Sequence, residues 1–131
     1  MVKMMLLLRR RPGMTREEFM AYYEERHAPL ALEILPGIVE YRRNFVNPNA
    51  MFSAGHIHGE KNAPPPDFDV VTEIWFNSLE DYQKVSAATR DPTVGQRLAA
   101  DERNLFDTRP EAMVFFLVDE RISPKTGAHP S

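Results

Sequence analysis

In a chain of 131 residues with no cysteine, the candidates for proton transfer singled out by type and position are histidine, tyrosine and carboxylates. The missing thiol excludes a cysteine nucleophile, a thiolate metal site and a disulfide. Of the four histidines, His27 has a defined address, in the run Arg26-His27-Ala28-Pro29 at the expected end of a helix. A histidine there can be no more than a cation held by the helix C-terminal dipole. It can also be a proton-transfer group, since an imidazole near its usual pKa accepts and delivers protons at neutral pH.

Aromatic and acidic residues supply the other candidates. Tyr41 and Trp75 lie in strand-like segments, with Tyr23 one helical turn before His27. Glu73 shares a strand face with Trp75 and Val71, and a carboxylate in mid-strand must be solvated, paired or lining a cavity. If that face looks into a pocket, Tyr41, Glu73 and Trp75 share it; the competing readings are dimer-interface packing and a Glu73–Arg43 pair. Asp101 falls in the apolar stripe Val94, Leu98, Leu105, and Arg26 holds the same odd place among Phe19, Tyr23 and Leu30. A buried Arg26–Asp101 pair reconciles both; a carboxylic acid of raised pKa is the alternative. His56 and His58 are spaced like two ligands on one side of an extended segment. A metal site needs three or four, so we expect neither metal nor cofactor, and read that loop as a pocket lid with one histidine reaching in.

The elements that must position these groups follow from local signals. Val2 to Arg10 is an apolar strand whose two faces are both hydrophobic, broken by Pro12-Gly13. Thr15-Arg16-Glu17-Glu18 reads as a capping box for a helix ending near His27, because Pro29 disfavours helical geometry at Ala28. A short turn through Leu30 to Leu35 follows, closed by Pro36-Gly37. Ile38 to Asn47 is a second strand, followed by a long connection from Ala50 to Asp67. Asp69 to Phe76 is the third strand. Ser78 starts a helix running to about Thr89, and Asp91-Pro92 starts another to about Phe106. Glu111 to Glu120 is the fourth strand. The order β-α-β, loop, β-α(α)-β specifies an α+β ferredoxin-like split β-α-β sandwich, a four-stranded antiparallel sheet with helices on one face. Strands apolar on both sides then call for a second copy across the free face, a homodimer.

These residues resemble the EthD family of the dimeric α/β-barrel superfamily. The resemblance rests on Lys3 and its strand, Arg10-Arg11-Pro12-Gly13, Glu18-Phe19, Tyr22-Tyr23 to His27-Ala28-Pro29, Pro36-Gly37, Tyr41-Arg42, Glu73-Ile74-Trp75-Phe76, Ser78-Leu79-Glu80 and Asp101-Glu102. It covers Lys3 to Glu120. It implies a dimeric barrel with a cleft between sheet and helices in each subunit. It also implies chemistry without cofactor: isomerases, polyketide cyclases, decarboxylases and quinone-forming monooxygenases are similar proteins. The layout is most similar to lactone methylisomerases and polyketide-tailoring members, whose helix-end histidine, second-strand tyrosine and loop histidine fall here on His27, Tyr41 and either His56 or His58.

The reading is therefore a domain over residues 1–120 with a tail at 121–131. It is an acid–base lyase, isomerase or cyclase acting on an apolar aromatic, polyketide-derived or lactone substrate. His27 transfers the proton and Tyr41 donates a hydrogen bond. Tyr23, Glu73, Trp75, His56, His58 and Asp101 surround the substrate. A ligand-binding accessory protein and an oxygen-dependent monooxygenase are the alternatives. A net charge of −3 argues against nucleic acid. The apolar run Met4 to Leu8 is too short for a membrane span or a signal core, so a cytoplasmic protein is expected.

Overall fold

The first helix begins where the sequence marks it. Thr15 Oγ1 accepts from the Glu18 backbone N–H (3.1 Å), and Glu18 Oε1 accepts from the Thr15 N–H (2.9 Å). Both arms of the capping box are formed. A computed structural model describes residues 1–49, 54–59 and 64–125. In chain order the elements are β1 (Val2–Leu8), α1 (Arg16–Tyr22), a π turn (Tyr23–His27), α2 (Ala28–Ile34), β2 (Ile38–Phe45), α3 (Gly55–His58), β3 (Val70–Phe76), α4 (Leu79–Ala88), α5 (Pro92–Arg103), a 3-10 turn (Pro110–Ala112) and β4 (Met113–Val118). No helix among the described residues is long and apolar enough to cross a membrane.

The strands form one antiparallel sheet in the order β2-β3-β1-β4. The ferredoxin-like α+β sandwich expected from the element order is the fold observed. Val2, Met4, Leu6 and Leu8 of β1 and Val70, Ile74 and Phe76 of β3 pack under the helices. The opposite face carries Lys3, Met5 and Leu7, cross-strand from Trp75, Glu73 and Val71 on one side and from Val118, Phe116 and Val114 on the other. A bulge between Ile38 and Glu40 brings Ile38 onto the same face as Tyr41, Arg43 and Phe45, which simple alternation would not do.

The helix does not end at His27. Ala28 is helical (φ −62°, ψ −45°) although a proline follows it, and its N–H donates to the Tyr23 carbonyl five residues back. The wider π turn absorbs one extra residue, and Pro29, lacking an N–H, leaves one rung of the helical ladder unmade where the π turn passes into α2. Gly37 closes the segment at φ +111°, a conformation side chains resist.

Ser78 caps α4 through the Asp81 N–H (3.1 Å), and Asp91 caps α5 through Thr93 and Val94. Gly95 lets α5 lie close to the end of α4: a Cβ there would be 2.3 Å from the Thr89 carbonyl oxygen. This matters because α5 brings Asp101 to His27 and Glu102 to a cavity between the helices and the sheet.

Candidate functional site

The π turn decides which side chain of the first helix faces inward. Phe19, Tyr23, His27 and Ala31 are all buried, four residues apart, whereas Arg26 is exposed. A π turn rotates less per residue than the α-helix, so the inward stripe falls on His27 instead of Arg26. The expected Arg26–Asp101 pair is therefore not formed. Asp101 Oδ2 accepts instead from His27 Nδ1 at 2.8 Å, and its Oδ1 accepts from the Tyr22 hydroxyl at 2.6 Å. Asn104 Nδ2 reaches the same hydroxyl at 3.4 Å.

With both carboxylate oxygens accepting, the His27 proton sits on Nδ1 and Nε2 keeps a free lone pair. The ring lies edge-on to Tyr23 and Phe106, with centroids 5.4 and 5.3 Å away. Burial in this aromatic setting lowers the pKa of His27 below its usual value, against the opposing pull of Asp101. The imidazole is neutral at physiological pH, in the form that accepts a proton.

His27 opens on a cavity of about 290 Å³ between the helices and the sheet. Its walls are mostly apolar, among them Met4, Leu6, Leu35, Ile74, Phe76 and Phe115. No lysine or arginine is among the described residues that line it. Tyr41 enters from β2 on the same face. Its hydroxyl bonds that of Tyr23 (2.9 Å), which bonds Thr72 Oγ1 (2.7 Å). Thr72 can donate to Tyr23 and Tyr23 to Tyr41, leaving the Tyr41 proton for a ligand. Burial, then the neighbouring Tyr23, raises the Tyr41 pKa well above the usual phenol value, and burial pushes Tyr23 up to about 12. Tyr41 stays a neutral donor.

Glu102 also lines this cavity, a residue that sequence reasoning does not single out. The signal is present: it stands one turn after Leu98 on the inward face of α5. Among the described residues its carboxyl has no hydrogen bond or ion pair. Burial first, then the charge of Asp101, raises its pKa to about 7.

Glu73 and Trp75 are elsewhere. They occupy the sheet face away from the helices, so they do not share a space with Tyr41, contrary to the expectation from sequence. Glu73 pairs with Lys3 (2.7 Å) and accepts from Asn44 (3.3 Å), while Arg43 pairs with Glu24 (2.7 Å). Burial works against ionisation of Glu73, but the Lys3 and Asn44 hydrogen bonds and the Lys3 charge bring its pKa below the ordinary carboxylate value. Trp75 is buried on that open face because Lys3 and Arg42 lie over its ring, 4.6 and 4.9 Å from the centroid. Tyr23 is fully buried and reaches the cavity through Tyr41. Asp101 stands behind His27 and is not a wall residue. His56 is exposed on the helical turn α3 and is absent from the cavity wall. A helical turn does not project positions i and i+2 to one side, so the two-ligand spacing read for His56 and His58 is lost. The His58 side chain lies outside the described residues. No cluster of three or more metal-ligating side chains occurs among the described residues.

The model of the EthD domain matches residues 11–109, three quarters of the chain. The chain belongs to the EthD family. Among curated proteins it is similar to the conidial pigment biosynthesis dehydratase EthD of Metarhizium robertsii, 24% identical over 123 residues, covering 88% of this chain and 84% of the relative. It is also similar to the decarboxylase claH of Passalora fulva, 22% identical over 113 residues, with 85% and 71% covered. Among solved structures, an EthD-like protein of Ralstonia eutropha superposes with a TM-score of 0.60 at 18% identity, over 90% of this chain and 89% of that one. A dimeric ferredoxin-like protein from Jannaschia sp. gives 0.53 at 14% identity, over 91% and 98%. At these identities the solved structures speak to the fold alone. The names of both curated relatives denote lyases.

Proposed function

We propose that this protein is a cofactor-free acid–base lyase acting on a small, mostly apolar, uncharged organic molecule. The observation that carries the reading is the His27–Asp101 dyad. Asp101 fixes the imidazole tautomer, and His27 lines the same apolar cavity as the Tyr41 donor. His27 removes a proton from carbon next to a carbonyl, and Tyr41 donates to the oxygen where enolate charge collects. The walls suit an aromatic, polyketide-like or lactone skeleton. A phosphate or carboxylate would find no cationic side chain among the described wall residues. The lyase names of the two curated relatives agree with this choice of reaction. We also assign the working form as a homodimer, with the second copy covering the apolar half of the open sheet face.

The test needs no knowledge of the natural substrate. β-Tetralone is a neutral, apolar ketone, and its α-hydrogens exchange with deuterium oxide when a base and an oxyanion donor act together. Mass spectrometry should show exchange accelerated by the wild type, with His27→Ala slower by about 10²-fold or more. Wild-type exchange no faster than buffer, or a His27→Ala rate equal to wild type, rejects the reading.

A further inference from the structure

The cavity wall carries a carboxyl group for which enolate formation has no use. Abstracting a proton and holding an enolate require His27 and Tyr41 only, yet α5 places the Glu102 carboxyl in the same cavity. Asp101 and Glu102 are adjacent on that helix, one turned behind the imidazole and the other toward the cavity. A carboxyl with no described partner, among walls such as Leu98, Val85 and Phe115, has no structural task there.

We propose that Glu102 is a second catalytic residue, the general acid that protonates an oxygen leaving group, and that the substrate class is a carbonyl compound oxygenated at its β carbon. The inference rests on the acid–base reading above. In the step, His27 Nε2 takes the proton from the α carbon, and the C–H electron pair becomes the enolate held by Tyr41. That pair then forms the double bond between the α and β carbons as the bond from the β carbon to oxygen breaks. The departing oxygen takes the Glu102 proton and leaves as water from a hydroxyl, as an alcohol from an ether, or as a carboxylic acid from a lactone. Nothing is oxidised or reduced. The imidazolium proton returns to the Glu102 carboxylate, which restores both groups. A hydroxide is a poor leaving group without such a donor, whereas simple enolisation needs none.

The protonation state fits the task. Charged and titratable groups around Glu102 are Asp101 and Arg103 on its own helix, His27 and Tyr23 on the first helical segment, Tyr41 on β2 and Tyr82 on α4. Asp101 opposes its ionisation, and Arg103, the one cation acting on it among the described residues, ranks below both burial and Asp101.

The test uses two probes on the intact protein. One is α-exchange of β-tetralone. The other is dehydration of the aldol adduct of acetone and benzaldehyde, followed by the absorbance of the enone formed. In Glu102→Gln, nearly isosteric and checked for folding by circular dichroism, the ratio of dehydration to exchange should fall by about 10²-fold. The wild-type dehydration rate should decline above pH about 7, a limb missing from Glu102→Gln. An unchanged ratio overturns the proposal, as does exchange without dehydration in the wild type. Failure of both reactions rejects the base reading together with the acid. Carbon NMR of the side-chain carboxyls provides a readout independent of turnover. Titration of Glu102 in the ordinary glutamate range, about 4.3, overturns the proposal by itself.

Discussion

At the scale of single residues, the site is a division of labour set by hydrogen bonds. Asp101 can influence turnover only through His27, since it does not line the cavity. Asp101→Asn removes the charge that holds the Nδ1 proton and lets the imidazole take the wrong tautomer. Exchange of β-tetralone should drop by about tenfold or more. The direction of the pH effect is also determined. Asp101 raises the proton affinity of His27, so its loss lowers the His27 pKa further, and the acid limb of the rate profile should move to lower pH. A profile displaced upward, or unmoved, would show that the carboxylate does not act on His27. Glu102 escapes sequence reasoning for a physical reason. On a helical projection Asp101 is the more central of the two, and its place in the apolar stripe conceals the neighbour that faces the cavity.

At the scale of elements, much is legible in the sequence and one rule misleads. The capping box, the Ser78 and Asp91 caps and the chain order of strands and helices follow from short-range signals, and each is observed. What fails is the assumption of 3.6 residues per turn through Tyr23 to His27. A π turn leaves no mark in composition, because it is an extra residue absorbed under tertiary packing. Proline at 29 reads as a stop, whereas it is the first-turn residue of the next α segment. The same assumption puts Arg26 inside. The structure predicts that Arg26→Ala, at an exposed position, changes the unfolding free energy in urea by no more than about 0.5 kcal/mol. The buried pair expected from sequence would instead have cost about 3–5 kcal/mol, so one measurement separates the two helix geometries. The bulge at Ile38–Glu40 is invisible for a similar reason, since alternation carries no sign of an inserted residue.

For the whole molecule, the raised pKa of Glu102 is also a statement about stability. The unfolded chain loses this proton near pH 4.3, while the folded chain keeps it until about 7. Between those values the unfolded state binds fewer protons, so stability contributed by the neutral acid is full below the window and lost as pH rises through it. The loss is on the order of a few kcal/mol at most. Glu102→Gln should flatten that slope and leave the variant more stable than wild type at pH about 8, read from urea unfolding at several pH values. The open sheet face makes a second whole-molecule demand. Val114 and Phe116 are 42% and 41% exposed on it. Light scattering should return a mass of about 30 kDa, twice the 15.1 kDa chain. A mass near that of one chain would leave this apolar surface in water and remove the homodimer from the reading.

Strand β4 has two duties. Its Phe115 forms part of the cavity wall although it is 51% exposed, and the strand is an edge of the sheet. If a second copy supports that edge, the wall is complete only in the associated form. Turnover per chain would then depend on how much protein is present. It would be constant in a concentrated stock and decline on serial dilution past the dissociation constant, with a lag whenever a diluted sample is concentrated again.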